Sequence, residues 1–334
     1  MDKAAPRRKA TIADIVRISG VSRSSVFRYL SGKTLRPAMT AAIETAMRRL
    51  GYPLAPRPEA QSFDLSISTS TSFGSFRGYA ESVEGIIARA VEKGVHVSLN
   101  HGLGYEDIKG NPLTFPAERK GIVILGKSME EEEAQAKDLA LQGIPFVLVN
   151  RVMEGACSFV SADFQAAAMD ATLHLLDLGR KRIALWDDGS DVSRVQRDKL
   201  RGYLAAFKSR GFEPPMDLVT GKGLGDLEAE AMRLLSSPNR PDGWFAMDDR
   251  VAMRVIRAAH DAGLKVPEDL AVIGMNDIEA SSLSRPSISS VRIPFFEAGW
   301  TAVDVLGRLI DRPLEKTIKI ILGHQLIARE SSAG

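Results

Sequence analysis

The densest chemistry in the chain lies in residues 22–28, S-R-S-S-V-F-R, where two arginines and three serines share about two turns of helix. A guanidinium is a planar fork that can bond O6 and N7 of one guanine together, and a serine hydroxyl can reach a base edge or a phosphate. Arg23, Ser24 and Arg28 are therefore candidates to read a nucleic acid. Other reactive groups are spaced less usefully. The five histidines (His96, His101, His174, His260, His324) show no metal-ligand spacing, and no serine stands in a Gly-x-Ser-x-Gly elbow. The loop of Gly221, Gly223 and Gly225 lacks both the Lys-Ser ending of a phosphate loop and the spacing of a dinucleotide site, so it reads as a flexible connection. The acid run Glu130 to Glu133 suits a solvated helix start. No metal or cofactor is expected. A single cysteine, Cys157, excludes an intrachain disulfide and fits a small packed residue in a reducing cytoplasm.

Positioning Arg23 and its neighbours requires a scaffold, and residues 11–31 supply its pattern. Ile12, Ile15, Val16 and Ile18 recur at helical spacing, Gly20 permits a tight turn, and Val21 with Val26 can fill the angle to a second helix. That layout is a helix-turn-helix, which sets its second helix in the DNA major groove, although an ordinary solvated helical hairpin satisfies the same spacing. Charge supports the first reading. Residues 1–60 carry a net +8 while 61–334 carry a net −6, the footprint of a small nucleic-acid reader on an acidic body. Between them, PLAPRPEAQS (53–62) holds three prolines and no apolar period, which marks a linker. From residue 63 short β-rich runs (64–68, 95–100, 121–125, 146–150, 182–186, 243–247, 270–275) alternate with amphipathic helices (78–92, 130–142, 163–178, 195–210, 226–236, 249–262), as in doubly wound α/β domains. No run of eighteen apolar residues exists, and the basic N-terminus is followed by no signal-type apolar core, so neither export nor a membrane is expected.

The stretch T-I-A-D-I-V-R-I-S-G-V-S-R-S-S-V-F-R-Y-L-S-G, followed after a turn by A-A-I-E-T-A-M-R-R-L-G-Y, resembles the headpiece of the LacI/GalR family of bacterial transcription regulators. Further matches run in order along the body: S-A-D-F-Q-A-A (161–167), L-G-R-K-R-I-A (178–184), L-R-G-Y (200–203), F-A-M-D-D (245–249), G-L-K-V-P-E-D-L-A-V-I-G-M-N-D (263–277) and S-S-V-R-I-P (289–294). The resemblance implies an all-α helix-turn-helix headpiece (1–52), a hinge (53–62) and a two-subdomain periplasmic-binding-protein-like body with doubly wound parallel sheets (63–334). One half is expected from about 63–160 and the other from 161–288, with the chain crossing back after Val291. It implies a cytoplasmic homodimer at the nucleoid that binds double-stranded operator DNA, acts as a repressor, and answers to a small carbohydrate effector in the cleft between the halves. Control by a protein partner, or no effector at all, is the alternative, and a sugar-active enzyme a distant one. Thr11, Ser22, Ser25, Tyr29 and Arg36 join Arg23, Ser24 and Arg28 as expected DNA contacts. The hinge departs from the family, because Pro56 and Pro58 oppose the helix by which relatives wedge a leucine into the minor groove. Only Leu54 remains as an aliphatic candidate, so weaker kinking of the operator is expected.

Effector contacts are expected at the carboxyl ends of strands. Tyr79 falls near the position where relatives set an aromatic against a sugar ring, with Phe73, Phe76 and the hydroxyl of Ser70 as neighbours. Lys199 stands where the family usually has an arginine, and Arg197 lies two positions earlier. Asp248 replaces a common Asn, Asn276 replaces a common Asp, and Asp249 keeps the usual acid. Lys127, Asn150, Arg151, Asp163 and the Trp186-Asp187 pair end other strands. Capping of a following helix is an equal reading for Asp249 and Asp277.

Overall fold

The computed structural model describes residues 11–30, 35–50, 63–69, 77–101, 119–126, 129–153, 155, 157–186, 194–220, 227–312 and 317–333. The chain divides into two compact units, 1–62 and 63–334. The linker around Leu54, Pro56 and Pro58, the glycine loop 221–225 and the residues Ser70, Phe73, Phe76, Lys127 and Asp187 lie outside the described residues.

In the smaller unit α1 (Ile12–Ser19), α2 (Arg23–Leu30) and α3 (Pro37–Leu50) surround a core of Ile15, Val21, Val26, Ile43, Ala46 and Met47. Thr11 starts α1 with a capping box: its hydroxyl accepts from the Asp14 amide, and the Asp14 carboxylate accepts from the Thr11 amide at 3.0 Å. Gly20 ends the helix at φ 67°, a left-handed conformation that lets the chain turn directly into α2. Ile18 does not join the core and is 40% exposed. Pro37 opens α3, where a missing amide proton costs nothing.

The larger unit has two six-stranded sheets. The first, in the order β11-β5-β4-β3-β1-β2, is wholly parallel: β1 (Asp64–Thr69), β2 (His96–His101), β3 (Lys120–Ile124), β4 (Phe146–Val149), β5 (Phe159–Ala162) and β11 (Lys319–Leu322). The second, in the order β12-β10-β9-β8-β6-β7, comprises β6 (Ile183–Trp186), β7 (Val219–Thr220), β8 (Gly243–Phe245), β9 (Ala271–Met275), β10 (Ser289–Arg292) and β12 (Gln325–Ile327). Here the expectation of an all-parallel sheet needs correction, because β12 runs antiparallel to β10. Strand residues alternate between two apolar layers, as a period of two demands. Val123 and Val147 pack under α4 (Arg77–Lys93) and α11 (Phe295–Asp311), whereas Ile122, Ile124 and Leu148 pack under α5 (Met129–Leu141). In the second sheet Ile183, Phe245 and Ile273 meet α6 (Phe164–Asp177) and α7 (Arg194–Ser209), while Ala184, Trp244 and Val272 meet α8 (Leu227–Leu235) and α9 (Asp249–Asp261). A short α10 (Glu279–Leu283) completes the helices described.

Among the described residues the chain passes between the sheets at Asp163, at Ile293–Pro294 and at Gly323–His324. The passage after β10 delivers α11 onto the first sheet. There it crosses α4 so closely that a Cβ on Gly85 or Gly299 would fall on the carbonyl oxygen of Phe296 or Ser82 respectively.

Candidate functional site

The exposed face of α2 carries the sequence candidates for nucleic acid. Arg23, Ser24 and Arg28 are exposed, and so is Arg36 just before α3. Ser22 closes the start of α2: its hydroxyl accepts from the Ser25 amide at 3.3 Å and lies 2.9 Å from the Ser25 hydroxyl and 3.0 Å from that of Ser24. Three hydroxyls thus form one polar edge beside Arg23. Tyr29 is half-buried and donates to Glu44 at 3.0 Å, which fastens α2 to α3. Thr11 and Tyr29 therefore shape the scaffold, whatever else they touch.

In the larger unit a cavity of about 150 Å³ opens between the two sheets. From the first half come Tyr79 of α4, Gly126 beyond β3, and Asn150 and Arg151 beyond β4. The second half supplies Phe164 of α6 and Gln196 and Lys199 of α7, and Phe295 at the start of α11 closes the wall. Asn150 has φ 59°, donates through Nδ2 to Ser82 at 2.8 Å, and keeps a buried Oδ1 without a hydrogen-bond partner. Arg151 is buried against Glu132 at 2.7 Å. Burial pushes the Tyr79 hydroxyl above the ordinary tyrosine range, opposed by the Arg151 charge and assisted by that of Glu132. Lys199 is buried and donates to the Met247 carbonyl at 2.7 Å. An aromatic set with hydroxyl, amide and cationic groups is suited to a small polar ring.

Tyr79, Asn150, Arg151 and Lys199 are brought together here, and the other described residues that the sequence singled out at strand ends and on α7 are not on this wall. Trp186 is 8% exposed and belongs to the apolar layer under α8 and α9, where its ring fills core volume. Arg197 points outward from α7. Asp248 caps α9, accepting from the Arg250 amide at 2.8 Å, and takes a second hydrogen bond from Asn276 Nδ2 at 3.1 Å. Asp249 is fully buried in the first turn of α9, where it accepts from the Ser290 hydroxyl at 2.6 Å and the Ile278 amide at 2.9 Å. Burial pushes its carboxyl up to about 7, against the lowering effect of those two hydrogen bonds and with a further push from the Asp248 charge. Asp277 caps nothing and instead pairs with Arg292 and Arg329, each at 2.7 Å. Asn276 lines a different, larger cavity of about 550 Å³. Phe164, Gln196 and Phe295 escaped the sequence reading, although Gln196 stands one helical turn before Lys199 and shares its face.

Among the described residues no group of three or more His, Cys, Asp or Glu could hold a metal ion. No described helix is long and apolar enough to cross a membrane.

Comparison with known proteins agrees with this architecture. Residues 172–332 match the family profile of the periplasmic binding protein-like domain. The chain is 30% identical to the ribose operon repressor of Escherichia coli (strain K12), over 97% of this chain and 100% of that one. The solved complex of the transcriptional regulator CelR with cellobiose superposes with a TM-score of 0.70 at 25% identity, covering 97% of this chain and 100% of that one. The lac repressor dimer bound to operator and the anti-inducer ONPF superposes with a TM-score of 0.67, covering 98% and 100% of the two chains; at 22% identity this likeness concerns the fold.

Proposed function

The chain belongs to the LacI/GalR family of bacterial transcription regulators, and from that membership we propose that it binds a near-palindromic operator as a homodimer and adjusts its grip to a small sugar or sugar derivative. The observation that carries the effector half is the cavity walled from both sheets, with Tyr79, Asn150 and Arg151 facing Gln196 and Lys199. A ligand that touches both halves binds one separation of them better than another. Only such differential binding can shift a conformational equilibrium. The coupling between ligand and operator is typically about 1–3 kcal/mol.

For the DNA half, Arg23, Ser24 and Arg28 read base edges, while Ser22, Ser25, Arg36 and the start of α1 at Thr11 sit where phosphates pass. On the same reading the protein works in the cytoplasm at the nucleoid as a regulator and not as an enzyme, which its likeness to a ribose operon repressor supports.

Two measurements test this. A thermal-shift screen against sugars, sugar acids and sugar phosphates should single out one class, with stabilisation of about 2.7 kcal/mol at a hundredfold excess over the dissociation constant. No shift with folded protein would move the reading to control by a protein partner or to none. For operator sequences selected from random DNA, Arg28→Ala should cost about 1–3 kcal/mol and relax preference at one base pair. Unchanged preference would remove Arg28 from base reading.

A further inference from the structure

The helix α2 runs for eight residues, Arg23–Leu30. A helix of that length is marginal in water by itself, so its orientation is set by what it packs on. Reading bases demands more than a formed helix. A guanidinium stands about 6 Å from the helix axis, so a roll of about 10° moves it by about 1 Å. Recognition geometry of this kind tolerates roughly 0.5 Å. Val26 is fully buried in the core of the smaller unit, but an apolar contact is non-directional and permits a small roll. A hydrogen bond does not, because it weakens steeply off its axis.

Tyr29 supplies that directional contact. It lies three residues after Val26 and therefore on the same side of α2. Its ring packs against the core of the smaller unit, and its hydroxyl donates to Glu44 Oε1 on α3 at 3.0 Å. Arg48, one turn further along α3, lies 4.0 Å from Glu44 Oε2 and donates its Nε to the Glu44 carbonyl at 3.4 Å, so the acceptor is steadied from a second side. Arg28, the residue before Tyr29, is exposed on the other side of α2.

The charge of Glu44 runs against its surroundings. Residues 1–60 hold twelve Lys or Arg and four acids, and each carboxylate near DNA repels phosphates. Two of the four acids, Asp14 and Glu44, are among the described residues. Asp14 caps α1, and the bond from Tyr29 gives Glu44 a comparable task between α2 and α3.

Resting on the operator reading above, we propose that Tyr29 is a positioning residue for operator recognition. Through its hydrogen bond to Glu44 it sets the roll of α2, and with it the aim of Ser24 and Arg28 at base edges, without touching DNA itself. The bond contributes to discrimination between sequences and not to the affinity for DNA in general.

Anisotropy titration of the full chain tests this on two duplexes: the one that wild type selects from random DNA, and the same duplex with its most strongly selected base pair changed in each half. Tyr29→Phe keeps the ring and removes the bond. It should lower the affinity ratio between the duplexes by about fivefold or more, near the lower end of what one bidentate base contact discriminates, with the salt slope as in wild type. Glu44→Ala should lower the ratio equally, and the double variant should lower it no further. Glu44→Gln loses the same charge but keeps an oxygen acceptor, so it should restore most of the ratio. Lost charge changes the affinity for both duplexes alike and leaves the ratio in place. If Tyr29→Phe does not fold, as judged by circular dichroism, the two Glu44 variants carry the same comparison. An unchanged ratio would overturn the proposal. Equal weakening on both duplexes with a shallower salt slope would make the Tyr29 hydroxyl a phosphate contact, and equal loss in Glu44→Ala and Glu44→Gln would assign the effect to charge; either result overturns it too. Failure of wild type to select any sequence would remove the operator reading itself, and this inference with it.

Discussion

Asp249 shows how a single residue can be legible as an acid and still be misplaced. A carboxyl at the end of a strand reads as a ligand for hydroxyls, but the backbone puts this one inside the second half. It spans Ser290 and Ile278 there, and a Cβ on Gly274 would collide with it. Its carboxyl is pushed up to about 7, whereas the unfolded chain titrates near 4. Between those values the native state holds a proton that the unfolded state has released, so stability falls as pH rises from about 4 to 7 and levels off above. A difference of that size corresponds to about 4 kcal/mol as an upper bound. Asp249→Asn keeps an amide of the same shape and cannot ionise. Chemical denaturation at intervals from pH 5 to 8 should therefore give a flatter profile for the variant, with its stability relative to wild type rising with pH. Parallel profiles would mean that the buried carboxyl keeps its proton, or loses it, in both states.

At the scale of elements, the paired helices α4 and α11 decide where the proposed effector wall stands. Gly299 lies against the Ser82 carbonyl, and Ser82 in turn accepts the Asn150 side chain. Gly299→Ala would force backbone against backbone, which cannot yield as a flexible side chain does. Overpacking typically costs about 1–3 kcal/mol, so the variant should be less stable by that amount and melt at a lower temperature. Because the displaced turn also carries Tyr79 and Ser82, ligand affinity in the first cavity should fall with it, and melting with unchanged affinity would separate the helix crossing from the site. The apolar positions of α11 (295, 298, 302, 303, 306) follow a helical period, but the crossover that precedes the helix gives the sequence no strand from which to place it. Long amphipathic helices and continuous apolar strands were readable because one period runs through them. Strands of two to four residues such as β7 and β12 have no room for a period, and the antiparallel edge that β12 creates is settled by tertiary pairing.

Over the whole molecule the readable and unreadable parts divide by distance along the chain. The helix-turn-helix face is local: Arg23, Ser24 and Arg28 fall within one short helix, and Gly20 with its left-handed φ marks the turn before it. The cavity wall is not local. Tyr79, Asn150, Phe164, Gln196 and Phe295 meet only after the chain has changed sheets, so the family resemblance could suggest Lys199, but strand ends alone could not separate Trp186, which packs inward, from Arg151, which lines the cavity. Charge is legible at every distance, and it supports a last expectation. A net +8 over residues 1–60, against −6 over the remainder, concentrates the attraction for DNA in one small region. Each phosphate neutralised releases counterions, so the logarithm of operator affinity should fall linearly with the logarithm of salt, by about 0.9 per phosphate contact. Arg36 is exposed beside α3 and outside the recognition helix, which fits a phosphate contact. Arg36→Ala should weaken binding to all sequences alike and reduce the salt slope by about 1, whereas Arg28→Ala should change the ranking of sequences. Titrations of both variants at several salt concentrations, on a preferred operator and on a mismatched one, separate the two roles. If Arg36→Ala reorders the sequences and leaves the slope alone, Arg36 reads bases and the recognition surface extends beyond α2.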